Sequence, residues 1–316
     1  MHLLLELKVP RNYDLLKSIH SWIYPDIQPV PEVTGPGYFG RVFEIGTKLI
    51  PLIFKQNRPG RALEIVFPEK SATTKDVRLL SRRILGLDKS MDSALSLMKS
   101  DPDLKRFVAS VKGIRPYIAE SLHEALVKTI IQQQISYRSA NVVTRKMILG
   151  LSRKHVFEGV ELYSFPTPEE IADCGVDGLE KFGIGYRTEY VHRVSSLVAH
   201  GELDLESLSM MTFTEIMKVL SPIRGIGEWT VEAAIVAGLG DLTIFPNGDL
   251  VIQNILGTLY NNGVRMTKTQ VNEKSAEWGR DGPSILYLLM SAYVLGLMPP
   301  QGKPKTHKRR HSFHEP

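Results

Sequence analysis

The sequence predicts a mainly α protein that opens with a small α+β domain. Over roughly the first 85 residues, apolar side chains come in short runs rich in β-branched and aromatic residues, separated by Gly- and Pro-containing turns. From about residue 71 onward they recur instead at three- and four-residue spacing, the period of a helix with one buried face. A length of 316 residues suits about two domains with a sizeable core, and 43% hydrophobic against 23% charged residues is the balance of an ordinary globular chain.

Taken in order, residues 14–24 have helical spacing and would cover one face of a sheet. Residues 38–45 (YFGRVFEI), 48–56 (KLIPLIFKQ) and 62–67 (ALEIVF) are predicted as antiparallel strands, because Gly46-Thr47 and Pro59-Gly60 supply the turns between them. Helices are predicted over 75–85, 91–99, 102–111, 122–131, 137–151, 168–174, 176–181, 187–200, 213–220, 228–237, 249–260, 268–276 and 284–295, with a single turn near 206–208. No fixed-period repeat is present. Three regions follow: an α+β domain at 1–85 with an antiparallel sheet, an all-helical domain at 86–297, and a polar, basic tail at 298–316 expected to be disordered.

Composition excludes several function classes. Cys174 is the single cysteine, so neither a disulfide framework nor a cysteine-ligated zinc or iron–sulfur site can be built. No segment approaches the roughly 20 apolar residues of a membrane helix. The start, MHLLLELKVP, lacks a basic n-region and a small-residue cleavage site, so an intracellular location, cytoplasmic or nucleoid, is expected and no membrane partner. The net charge of +5 sits mostly in the tail, where five Lys or Arg face one Glu. The body is nearly neutral, and any affinity for nucleic acid must come from local patches or backbone amides.

Four stretches carry candidate chemistry. In FTEIMKVLSPIRGIGEWTVEAAIVAGLG (213–240), one helix ends near Leu220, a tight turn holds Gly225-Ile226-Gly227, and a second helix opens at Glu228. Glycines flanking one apolar residue permit positive φ and close backbone approach, and the amides opening the second helix favour an anion. Ile223 and Ile226 would pin the turn between the helices. An ordinary helix corner with a glycine stop is the alternative, but the fuller pattern Leu220-x-x-Ile223-x-Gly225-Ile226-Gly227 points to a helix-hairpin-helix gripping a DNA phosphate. In FPNGDLVIQNIL, Asp249 stands at the start of an apolar helix, where the dipole stabilises its carboxylate and keeps it ionised at neutral pH. Asp is also among the commonest helix caps. What singles Asp249 out is its place 22 residues after Gly227, with one helix between to bring it back beside the hairpin. In ALVKTIIQQQISYRSANVV, three glutamines, Gln133 and Gln134 among them, follow an apolar helix; glutamine both donates and accepts, and can fill the gap left by an extruded base, while a polar helix end is the plain alternative. In GLEKFGIGYRTEYVHRVSSLV, Gly183-Ile184-Gly185 is a second turn before a helix, either phosphate-facing or simply a packing corner. Trp229 and Tyr186 are candidates to stack on a base, with buried core as the alternative for each.

In order along the chain, GIRP (113–116), QQQIS (132–136), FGIGYRTEYV, SPIRGIGEWT and FPNGD resemble the helix-hairpin-helix (HhH-GPD) DNA glycosylases, in particular their alkylpurine, DNA-3-methyladenine glycosylase II (AlkA-like) branch. The likeness covers nearly the whole chain. It implies the helix-hairpin-helix glycosylase architecture, and a monomer acting on double-stranded DNA that contains damaged bases. Carried over by position, Asp249 is the catalytic aspartate and Gln134 the wedge that enters the duplex behind the flipped nucleotide. Gln133, Arg224, Gly225, Ile226 and Gly227 are the DNA-binding set, and Trp229 with Tyr186 lines the base pocket. The carbonyls of Ser221, Ile223 and Ile226 would hold a Na+ or K+ at the hairpin; no catalytic cofactor is implied. Bifunctional members carry a lysine nucleophile two residues after the second hairpin glycine. Trp229 stands there, and an indole cannot form a Schiff base, so hydrolysis by water without AP-lyase activity is expected. The branch often has a tyrosine where this chain has Ala233 and a tryptophan near Ser291, which implies a roomier, less aromatic pocket.

The expected activity is hydrolysis of the N-glycosidic bond of damaged, alkylated purines such as 3-methyladenine and 7-methylguanine in base excision repair. The developing oxocarbenium needs a nearby anion, Asp249, and a cationic base would be drawn to the face of Trp229 by about 0.5–2 kcal/mol. A glycosylase for oxidised or deaminated bases (8-oxoguanine, hypoxanthine) is the alternative enzyme. A non-catalytic hairpin DNA-binding protein is the alternative of another class, against which a carboxylate set among phosphates argues. The tail as a tether for RNA or a partner protein is a third reading.

Overall fold

The structure, a computed structural model, describes residues 1–298. The expected tail lies outside the described residues apart from Met298. The chain runs β1 (His2–Leu7), α1 (Leu15–His20), β2 (Val33–Gly35), β3 (Tyr38–Ile45), β4 (Lys48–Lys55), β5 (Leu63–Pro68), α2 (Thr74–Ile84), α3 (Asp92–Ser100), α4 (Val108–Val111), α5 (Leu122–Gln132) and α6 (Tyr137–Leu151). It continues through β6 (Lys154–Phe157), β7 (Val160–Tyr163), α7 (Pro168–Glu180), α8 (Thr188–Ala199), α9 (Leu205–Leu208), α10 (Phe213–Leu220), α11 (Glu228–Leu239), α12 (Leu250–Tyr260), α13 (Lys268–Glu277) and α14 (Gly282–Val294). Mostly helical, with one small antiparallel sheet near its start, it has the predicted class.

The sheet has five strands in the order β1-β5-β4-β3-β2, two more than the sequence predicts. β1 escapes the pattern because three consecutive leucines hide its alternation; it is placed by pairing with β5, Leu5 opposite Ile65. One face packs Phe39, Phe43, Phe54 and Phe67 against α1 and against Val77 and Ile84 of α2. The other face, Val42, Ile53 and Val66, is closed by the β6–β7 hairpin through Leu162, which sits so close over Gly40 that a Cβ there would meet it at 2.8 Å. That hairpin, too, goes unpredicted. Its turn is Glu158-Gly159, both at positive φ, which matches the twist of a two-residue hairpin.

Two helical differences have local causes. The predicted helix over 102–111 is a 3-10 turn at Lys105–Phe107 followed by the four-residue α4; the Asp101 carboxylate accepts from the amides of Asp103 and Leu104 and starts the chain as an Asx turn. Gly175, at φ 66 and ψ 170, breaks α7 at the predicted junction of two helices.

The helices form two clusters. α5 to α11 surround Leu126, Ile130, Val191, Leu220 and Val231. α3, α4, α12, α13 and α14 surround Met98, Phe245, Ile252, Ile285 and Leu289. The chain leaves the second cluster after α4, builds the first, and returns at α12, so the hairpin and Asp249 meet at the seam. Arg41 of β3, fully buried, ties the sheet to α5: it lies 3.1 Å from Glu32, 2.8 Å from Glu120 and 3.1 Å from Glu124, and Lys128 is 2.7 Å from Glu124. Burial pushes the Glu120 carboxyl up to about 7 against the pull of Arg41. Burial acts the same way on Glu124, yet Arg41 and Lys128 together hold it down to about 2.

Candidate active site

α10 begins with a capping box between Thr212 and Glu215 and ends at Leu220. The turn beyond it closes with Ile223 N donating to Leu220 O at 3.1 Å and Ile226 N to Ile223 O at 3.0 Å. Ile226 is 4% exposed and Ile223 packs beside the same core, so the two isoleucines anchor the turn as expected. Gly225 has φ +93, and a Cβ on it would lie 2.2 Å from the ring of Tyr190; only glycine fits. Gly227 is the N-cap of α11, provides no side-chain cap, and has open space where a Cβ would be. The first amides of α11 are therefore presented at the surface with the positive end of the helix dipole behind them.

Asp249 is the N-cap of α12. Its Oδ1 accepts from Val251 N at 2.8 Å and from Ile252 N at 3.3 Å. Its Oδ2 accepts from the Trp229 indole N–H at 3.2 Å. One carboxylate is thus pinned by its own helix and joined to the helix that follows the hairpin. Residue 249 is 9% exposed. Burial raises its pKa above the ordinary value near 3.8, and the two backbone hydrogen bonds and Trp229 only partly offset this. Desolvation outweighs these three hydrogen bonds because the carboxyl faces the seam between two cores.

The other expected residues fall in different places. Gln134 is exposed, with φ +56, at the turn between α5 and α6. Gln133 turns inward: its Nε2 donates to Gly225 O at 2.7 Å and Thr230 Oγ1 at 2.9 Å. Its amide braces the hairpin from α5. Arg224 is exposed and 3.6 Å from Glu189. Tyr186 is not brought to the Asp249–Trp229 pair. The 3-10 turn Gly185–Arg187 buries Arg187 and sends Tyr186 outward, 53% exposed, with its ring edge-on to Tyr190 at 6.0 Å. Ser221 is exposed beside the turn, and the Ile223 carbonyl accepts the Ile226 amide.

Two supporting residues went unpredicted. Arg187 donates to Ile184 O at 3.0 Å and to Gln133 O, linking the second Gly-Ile-Gly turn to the glutamine run. Tyr190 forms the seat of Gly225. Their only sequence signal is an Arg and a Tyr just after a Gly-x-Gly turn, which does not say what they touch. Among the described residues, no group of three or more His, Cys, Asp or Glu is placed to hold a metal, and no helix is long and apolar enough to cross a membrane.

Residues 127–281, which span the hairpin and Asp249, match the model of the HhH-GPD superfamily of base excision DNA repair proteins. The chain is 29% identical over 193 residues to a DNA-3-methyladenine glycosylase of Bacillus subtilis, covering 61% of this chain and 64% of that one. It is 31% identical over 159 residues to the Bacillus subtilis protein YfjP, covering 50% and 54%. The chain thus spans less than two thirds of the length of these relatives. Among solved structures, the 3-methyladenine DNA glycosylase of Archaeoglobus fulgidus superposes with a TM-score of 0.81 at 25% identity, over 92% of this chain and 98% of that one.

Proposed function

The chain belongs to the HhH-GPD superfamily of base excision DNA repair proteins, and from that premise we propose that it is a monofunctional DNA glycosylase releasing alkylated purines from double-stranded DNA. The observation that carries the reading is the hydrogen bond from Trp229 to Asp249. It joins a surface suited to a DNA phosphate and a buried carboxylate in one rigid unit, as hydrolysis at the sugar next to that phosphate requires.

The reaction follows from these groups. The Gly225–Gly227 turn and the first amides of α11 hold a backbone phosphate. Ser221, Ile223 and Ile226 offer hard carbonyl oxygens on the same turn, a donor set suited to Na+ or K+, which would add positive charge toward that phosphate. Gln134, exposed at its turn, enters the stack as the nucleotide leaves it, at a cost of roughly a few kcal/mol that damage to the base reduces. An alkylated purine carrying positive charge departs readily, and Asp249 stabilises the developing oxocarbenium and orients the attacking water. A raised carboxyl pKa also makes it the better proton acceptor. Trp229 in place of an amine supports hydrolysis without strand cleavage.

The test incubates wild type and Asp249→Asn with methylated duplex DNA, with and without later alkali. Release of 3-methyladenine or 7-methylguanine by wild type alone, with nicks only after alkali, is the expected result. Nicks without alkali would overturn the monofunctional assignment, and release confined to oxidised or deaminated bases would overturn the alkylpurine one.

A further inference from the structure

Two charged side chains beside the hairpin are each out of place alone, and they meet. Lys268 is the first residue of α13, where the positive end of the helix dipole opposes an ammonium. That helix start does not need it, since Thr267 and Gln270 already form a capping box there. Glu228 is the first residue of α11, where a carboxylate suits the dipole but repels a phosphate arriving at the hairpin. Lys268 Nζ donates to Glu228 Oε2 at 2.6 Å. The two side chains are 39% and 54% exposed, and an ion pair so open to water is worth little to stability and is readily exchanged.

The lysine stem passes over the loop that leads to Asp249. A Cβ on Gly248, the residue before Asp249, would lie 3.8 Å from Lys268 Cδ. The ammonium therefore hangs between Asp249 and the first turn of α11. A strand with one phosphate on the hairpin and a sugar at Asp249 runs past that point. Glu232, one turn further along α11 and 8% exposed, feels the same charge. Burial raises its carboxyl to about 7, with Lys268 pulling against the rise and Glu228 adding to it. Glu232 is thus no fixed counter-charge at neutral pH, and Glu228 is the group that an incoming phosphate displaces. On the other side of the turn Arg224 is matched in the same way, 3.6 Å from Glu189. Cations screened by glutamates reconcile a nearly neutral body with a surface that takes phosphates.

We propose, resting on the glycosylase reading, that Lys268 contacts a second backbone phosphate, beside the flipped nucleotide, and that Glu228 holds its ammonium until that phosphate takes it over. The hairpin grips its own phosphate through amides. Lys268 adds a side-chain contact between that phosphate and the Asp249 carboxylate. A strand that stays stacked keeps its phosphates away from Asp249 and leaves the Lys268–Glu228 pair intact. A strand drawn in by flipping brings a phosphate to the ammonium, so the exchange favours the engaged duplex over an undamaged one.

The test is equilibrium binding as a function of salt, to undamaged duplex and to duplex carrying an abasic-site analogue. Wild type is compared with Lys268→Gln, Glu228→Gln and the double variant. Each phosphate neutralised by a cation contributes about 0.9 to the slope of log affinity against log salt. Lys268→Gln is expected to lower the slope on the abasic-analogue duplex by about that much. It should weaken that binding about tenfold, the worth of a charged hydrogen bond, and weaken binding to undamaged duplex less. Glu228→Gln frees the ammonium and tightens binding by about two- to fivefold, the range of an exposed ion pair. Lys268→Gln weakens binding in the Glu228→Gln background as well, which a purely structural pair would not show. Lys274→Gln is the control: Lys274 lies in the last turn of the same helix, 2.7 Å from Glu277, and its variant keeps the wild-type slope and affinity. An unchanged slope in Lys268→Gln, no gain in Glu228→Gln, a Lys268→Gln effect that vanishes without Glu228, or an equal loss on both duplexes overturns the proposal. If base release from methylated DNA persists in that case, the glycosylase reading stands without it. A slope that depends on Lys268 in a protein that releases no base would fail the glycosylase reading and leave the contact in place.

Discussion

Replacing Asp249 by Asn separates what this residue does for the fold from what it does for chemistry. Asn caps a helix as well as Asp, so the bonds from Val251 N and Ile252 N persist. The bond from Trp229 is the loss, since an amide nitrogen at the Oδ2 position meets the indole N–H as a second donor; that is about 0.5–1.5 kcal/mol. Against it stands the relief of a buried charge, because burial has raised this pKa above 3.8. A carboxyl whose folded pKa is raised binds its proton more tightly in the folded state. Its contribution to stability is therefore present at low pH and falls as pH rises from about 3.8 to the folded value, beyond which it is flat. The Asn variant lacks that fall. At neutral pH the two effects oppose, and the variant is expected within about 1 kcal/mol of wild type, a Tm shift of only a few degrees. Loss of the anion removes a preorganised charge worth about 100- to 1000-fold in rate. Urea denaturation at acid and neutral pH, beside single-turnover base release, measures both. A wild type that gains on the variant as pH rises through that window would refute dominant burial, and wild-type turnover by the variant would refute the role of Asp249.

Three further outcomes are expected. Arg41→Met leaves Glu32, Glu120 and Glu124 buried without their shared cation, and urea melts should show a loss of about 3–5 kcal/mol; a loss under about 1 kcal/mol would mean that Lys128 or protonation compensates. Gly225→Ala forces a side chain at φ +93 into the Tyr190 ring; a cost of about 1–3 kcal/mol and weaker duplex binding are expected, with Tyr190→Ala partly restoring both, and additive effects of the two changes would sink the steric account. Gln134→Ala should weaken affinity for a duplex carrying an abasic-site analogue while base release continues, and unchanged affinity removes Gln134 from the wedge role.

Most helices, the three central strands, the hairpin turn and the cap at Asp249 were legible in the sequence. Each is decided within a few residues: a four-residue spacing, a glycine at positive φ, or an Asp before an apolar run. The edge strand β1 was not, because a leucine run has no period of its own and its place depends on β5, some sixty residues away in sequence. The site divides along the same line. The sequence singled out Asp249, Trp229 and the Gly225–Gly227 turn as candidates through the order of motifs along the chain, where residue type alone left a helix cap, a core aromatic and a helix corner as alternatives. Only the folded chain decided that Gln133 braces the hairpin, that Tyr186 points away, and that Lys268 meets Glu228. It also decided that burial raises the Asp249 pKa above its ordinary value. Those outcomes come from packing surfaces and local dielectric, which arise when distant segments exclude water from one another.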